Sequence, residues 1–305
     1  MNKNNKKSLW NYIVSKNHII PSPLANKFGI PVLRTILADL IIKLRRLKNC
    51  RPKSNYEKKL IEDGIVVIPN FLPEEEFRLL KKEFDSITID LKKDSIASAT
   101  GSSKTNTYPI NKDKYENFPA LKNFAKNKQL IRLIAVGEGK YVFDEIDSLR
   151  LEKSIFGEPE KDTDANIEFH ADIHFHSHKV LFYMDDVTDN DGPFNYCLKS
   201  HKNNFDRLWF EFKRGQLNGA HKGTWRIKDH LDKKFFKNYF QKLMSARYKV
   251  TNKRNTLIIA NVHGFHKRGE ALKGTERSII RVPFRYNPLG PSKSLPNDLY
   301  SGSLF

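Results

Sequence analysis

The pattern His170-Ala-Asp172, answered by His266 far along the chain, restricts the fold more than any other feature. Residues two apart on a strand point to the same face, so His170 and Asp172 offer two donors to one side. A second histidine from a distant strand completes one triangular face of an octahedral metal. That requires a fold that closes distant strands around a cavity. The surroundings read as sheet. His266 follows the apolar run 256–260, and Arg277 opens the strand-like run 278–284. Gly269 and Gly274 lie between them, as a hairpin connection needs. The expectation is that His266 and Arg277 face one cavity from neighbouring strands.

Two histidines and one carboxylate, with the remaining positions open, form the ligand set of non-haem Fe(II) oxygenases. The planar fork of Arg277 suits the far carboxylate of an organic co-substrate. Other motifs accompany these four residues. Asp63-Gly-Ile-Val-Val-Ile-Pro-Asn-Phe-Leu72 runs into Pro73-Glu-Glu-Glu-Phe77. Residues 179–187 are followed by Asp191-Gly-Pro-Phe194 and Lys199-Ser-His-Lys202. His263-Gly-Phe-His-Lys-Arg-Gly269 and Gly274-Thr-Glu-Arg277 complete the series. With these motifs in this order, the chain resembles the phytanoyl-CoA dioxygenase family of Fe(II)- and 2-oxoglutarate-dependent oxygenases, over roughly residues 56–290.

The resemblance implies iron on His170, Asp172 and His266, and a salt bridge from Arg277 to the distal carboxylate of 2-oxoglutarate. It implies O2 as the second co-substrate, with succinate and CO2 released. Related halogenases lack the carboxylate ligand, so Asp172 implies hydroxylation, here of a small-molecule substrate. Two positions depart from the family pattern. Lys199 stands where relatives have Gly before Ser-His, and Arg268 where many have a small hydroxyl residue.

Strand periodicity alone yields an α+β, β-centred chain. The resemblance implies the topology: a double-stranded β-helix, the cupin-like jelly roll, with buttressing helices. Residues 64–71 read as a strand. Residues 73–91 read as a helix begun by Pro and three Glu at the positive dipole end. Residues 94–114, rich in Ser, Thr, Asn and Lys, read as a loop. A helix is expected over 120–136, and strands within 141–156 and 166–187. Residues 203–247 read as a helical insertion with Trp209 and Trp225, either shaping the substrate pocket or filling core. Three parts follow: a basic extension over 1–55, the oxygenase domain over 56–290 and a tail over 291–305.

Other histidines leave alternatives open. His174, His176 and His178 share a face on an unbroken strand, which fits a polar substrate pocket or a solvated loop. A zinc site from these three alone lacks supporting carboxylates. His263, three residues before His266, points away from it on a strand and reads as a neighbour of the site. Parity does not decide whether Lys179, Tyr183 and Arg281 reach the cavity.

The net charge is +19. It favours an anionic or carrier-linked substrate, or an acidic membrane surface, unless it is spread over solvated faces. No binding motif or basic–aromatic stripe points to nucleic acid. Residues 31–48 form a basic amphipathic helix with Pro at its start. Such a helix packs on its own domain or lies on an anionic membrane in weak peripheral contact. Two cysteines, Cys50 and Cys197, imply no disulfide framework, and a reducing cytoplasm suits ferrous iron. Two rival readings are a non-catalytic jelly-roll ligand-binding protein and an oxygenase acting on a macromolecule.

Overall fold

The computed structural model describes residues 9–15, 20, 22–90, 96–100, 103–157, 165–216, 234–283 and 287–290. Three helices come first: α1 (Leu9–Ile13), α2 (Pro23–Lys27) and α3 (Ile30–Asn49). A capping box between Ser54 and Glu57 starts α4 (Asn55–Asp63). Gly64, at φ 82°, ends it and turns the chain into β1 (Ile65–Ile68). Three glutamates open α5 (Glu74–Asp90), where the helix dipole favours negative charge. Then come β2 (Ile96–Thr100), β3 (Ser103–Asn111), α6 (Pro119–Ala125), α7 (Lys128–Glu138) and β4 (Ser148–Ile155). The remaining elements are β5 (His178–Tyr183), β6 (Phe194–Cys197), α8 (Phe205–Gln216) and α9 (Lys234–Ser245). They are followed by β7 (Arg247–Val250), β8 (Thr256–Asn261), β9 (His266–Arg268) and β10 (Glu276–Pro283).

The strands form two antiparallel sheets. The larger has the order β1-β8-β5-β10-β4-β3-β2 and the smaller β7-β6-β9. Alternation assigns the faces. Leu181, Tyr183, Ile258 and Ile279 of the large sheet pack against Phe194, Tyr196 and Val250 of the small one. Their strand neighbours Val180, Phe182, Leu257 and Ile280 point the other way, onto Phe77 and Phe84 of α5 and Phe124 of α6. Two sheets sharing one inner core, with helices covering the outer face of one, make the jelly roll.

Local sequence misleads in three places. Within the stretch 94–114, β2 and β3 are paired antiparallel strands, not a loop. β3 pairs with β4 from Lys104↔Ile155 to Asn111↔Ser148, and Tyr108 and Ile110 are buried. That ladder outweighs the polar composition. The helix expected over 120–136 is two helices, divided where Asn127 accepts from Leu130 N at 3.0 Å and caps α7. His170 lies on an isolated bridge and Asp172 at a bend before β5, not on a regular strand. The two helices of 203–247 are present as α8 and α9. Trp225 and the tail 291–305 lie outside the described residues.

Candidate metal centre

His170 and His266 face each other across an isolated antiparallel bridge. Each backbone N–H donates to the other's carbonyl, at 3.0 and 2.9 Å. Asp172 N donates to Val262 O at 2.9 Å, just past the end of β8, so backbone bonds hold the segment at both His170 and Asp172.

Both imidazoles are oriented by the same device. His170 Nδ1 lies 2.7 Å from Glu168 O, and His266 Nδ1 lies 3.0 Å from Gly264 O. A carbonyl can only accept, so each Nδ1 carries the proton and each Nε2 is left as a lone-pair donor. The two Nε2 atoms stand 3.4 and 3.5 Å from Asp172 Oδ1. One ligand atom from each of the three residues lies within 4.8 Å of the others. Among the described residues no other group of histidines, cysteines and carboxylates is so arranged. Gly264 has no room for a side chain, since a Cβ there would overlap Tyr196 Oη.

The electrostatics suit a cation. Burial pushes the Asp172 carboxyl up, but Lys179 and the two histidines outweigh it and hold the group well below the usual carboxylate range. Burial presses His266 down to about 4, with Lys179 adding and Asp172 opposing. The His266 imidazole is therefore neutral at physiological pH. Lys179 Nζ is 3.2 Å from Asp172 Oδ2 and 3.4 Å from His266 Nε2, so an ammonium already stands beside the donor set. Two imidazoles that aim Nε2 at an ionised carboxylate fit a divalent ion.

The neighbouring histidines are buried, not a solvated loop. His176 Nε2 lies 2.9 Å from Asp39 Oδ1 of α3, and Asn261 Nδ2 lies 2.8 Å from His176 Nδ1. Asn261 Oδ1 accepts from His263 N, which fixes the amide's orientation. His176 is therefore neutral and donates to Asp39. Burial raises the Asp39 carboxyl, yet His176 and Lys43 together hold it far below its ordinary value. His178 is held by Glu138 of α7, at 2.9 Å from ring nitrogen to carboxylate. His263 lies between Arg207 and Asn203 and takes no part in the triad. These contacts tie the metal segment to the helices behind it, work that His-x-Asp spacing alone does not disclose.

Arg277 extends from β10 on the same face as Ile279, toward the space between the sheets. It lies on the large sheet and His266 on the small one, so the two oppose each other across the roll rather than sitting on paired strands. Arg277 Nη1 donates to Gly192 O, and its guanidinium lies 5.4 Å from the Phe156 ring centroid. Nε is buried without a partner. Burial lowers the guanidinium's pKa and Arg268 adds to that, so the site calls for an anion. Arg268 itself packs over Phe156 at 4.8 Å. Lys199 has φ 62°, a left-handed turn that explains why glycine suits that position. Lys179 had only strand parity as its signal in the sequence; Asp39 and Glu138 had none.

A jelly roll with this donor set defines an oxygenase of the non-haem iron class. The model of the family described as phytanoyl-CoA dioxygenase (PhyH) matches residues 60–230, and the chain belongs to that family. No curated protein matches the chain. Among solved structures, the epimerase SnoN in complex with Fe3+, alpha ketoglutarate and nogalamycin RO is similar at 14% identity and TM-score 0.51, covering 81% of this chain and 90% of that one. The non-heme alpha ketoglutarate dependent carbocyclase SnoK from nogalamycin biosynthesis is similar at 14% identity and TM-score 0.50, covering 77% and 84%. Both share the fold.

Proposed function

We propose that the chain is an Fe(II)- and 2-oxoglutarate-dependent hydroxylase of a small anionic molecule, with His170, Asp172 and His266 as the iron ligands. The observation that carries the reading is the pair of Nδ1–carbonyl contacts that aim both Nε2 atoms at Asp172. Bound iron supplies the oxidation, consuming O2 and 2-oxoglutarate and releasing succinate and CO2. Arg277 binds the distal carboxylate of 2-oxoglutarate, which satisfies its buried Nε. Asp172 takes the position that a halide would need, which favours hydroxylation.

The inner face of the large sheet supports an anionic substrate. Lys179, Arg277 and Arg281 share one parity on β5 and β10, and Arg150 of β4 stands opposite Arg281. Glu152 pairs with Arg281 and Asp172 with Lys179. The concentration of cationic side chains on this face favours a substrate carrying a phosphate or carboxylate. A cytoplasmic location accompanies this reading, supported by the free thiols of Cys50 and Cys197. The test is an anaerobic titration with Fe(II) and then 2-oxoglutarate, following the visible charge-transfer band. A saturable band that is lost in His266→Ala is expected. A folded protein with no band refutes the assignment.

A further inference from the structure

α3 carries apolar side chains on its outward face as well as its buried one. Its inward face mixes apolar and polar groups: Ile30, Arg34, Thr35, Ala38 and Ile42 are buried, and Asp39 reaches His176. Arg46 donates to Val136 O at 2.8 Å and to Gly137 O at 3.0 Å. These directed bonds fix the helix's rotation. The leucine-rich stripe is thereby held outward. Leu33, Ile36, Leu40, Leu44 and Leu47 follow helical 3–4 spacing and are between 42% and 58% exposed. Packing on the chain's own domain, one of the two readings of this helix, accounts for its inward face and not for the outward leucine stripe.

The stripe runs into an apolar groove of about 410 Å³ between α3 and α8. Leu33 and Ile36 line it from α3, and Phe205, Trp209 and Phe212 from α8. Phe205 is 76% exposed and stacks on Trp209. Monomeric proteins rarely present a continuous apolar face of this kind without a partner.

Charge identifies that partner. Residues 23–56 carry eight lysines and arginines and a single acid, Asp39, which is already engaged by His176 and Lys43. Lys27, Lys43, Lys48 and Arg51 are exposed. A second copy of the chain docked on this face would bring like charges together. An anionic bilayer satisfies both features, taking the leucines into the headgroup–acyl boundary and the ammonium groups onto its phosphates. We propose that α3 and the α3–α8 groove form a peripheral docking surface for anionic lipid membranes. No helix of the described residues is long and apolar enough to cross a membrane, so the contact lies in the plane of the surface.

The experiment is co-sedimentation of the full chain with vesicles of mixed phosphatidylcholine and phosphatidylglycerol, and with phosphatidylcholine alone. Binding to the mixed vesicles, weakened by salt, is expected. The Leu40→Asp/Leu44→Asp variant should lower apparent affinity about tenfold or more, since two apolar anchors become charged. Lys43→Glu/Lys48→Glu should lower it and flatten its salt dependence. Both pairs of positions are exposed, and unchanged circular dichroism and melting confirm the fold. Absence of binding to the mixed vesicles overturns the proposal, as does equal binding by wild type and both variants. Sedimentation velocity supplies the last arm. A wild-type dimer that Leu44→Asp converts to monomer assigns the face to a second copy and likewise overturns it.

Discussion

Replacing Lys179 with Met should make the protein a better metal binder. Lys179 Nζ lies 3.2 Å from Asp172 Oδ2 and 3.4 Å from His266 Nε2, where it competes with a divalent ion for the same donors. Across 3.2 Å the direct attraction is about 5 kcal/mol at an effective dielectric of ~20. The Lys179 side chain is 21% exposed, and water compensates much of that attraction when the amine swings away. A net cost of about 1–3 kcal/mol remains for admitting the metal. Methionine keeps the length and removes the charge, so Fe(II) affinity should rise about 10- to 100-fold. The assay is anaerobic calorimetric titration above neutral pH, where Asp172 is ionised, with 2-oxoglutarate left out. Lys179→Arg, which keeps the charge, should not reproduce the gain. Affinity that is unchanged or weaker in Lys179→Met would show that the ammonium does not oppose the metal.

Two further outcomes follow from named contacts. Arg277→Ala removes a paired set of charge-assisted hydrogen bonds worth about 3 kcal/mol. The KM for 2-oxoglutarate should rise on the order of a hundredfold while metal-only affinity stays level; a KM that does not move removes Arg277 from that role. Asp39→Asn should cost about 1–3 kcal/mol at neutral pH, because it weakens a charged hydrogen bond to His176. The Asp39 carboxyl is depressed in the fold, so its contribution is present above its unfolded pKa near ~4 and is lost as pH falls toward the folded value. The melting temperatures of wild type and Asp39→Asn should therefore converge below about pH 4, and a constant gap would contradict the assignment.

The reaction class was legible in the chain because its chemistry needs a few residue types in strict order. His170, Asp172 and His266 stand out by donor type and order, and the structure brings their ligand atoms within 4.8 Å of one another although Asp172 sits at a bend and not on the strand that parity assumed. The strand at β1 and the helices α3 and α5 were legible for a similar reason: β-branched runs, caps and dipole-matched charges act within a few residues. The β2–β3 pair was not, because its polar residues are held by a ladder to β4 whose partner lies some forty residues away. The same holds for His176 and His178. Their burial depends on Asp39 and Glu138, which approach only when α3 and α7 pack behind the sheet.

What the sequence by itself determined is the donor set, its order along the chain and the amphipathic pattern of α3. What only the tertiary structure decided is direction. Nδ1 contacts to Glu168 O and Gly264 O turn both imidazoles inward, Lys179 comes to rest against Asp172 and His266, and the hydrogen bonds that Asp39 accepts and Arg46 donates hold the leucines of α3 outward. Spacing specifies which residues share a face. Which way that face points is set by partners distant in sequence, and those are brought near only by the closed roll.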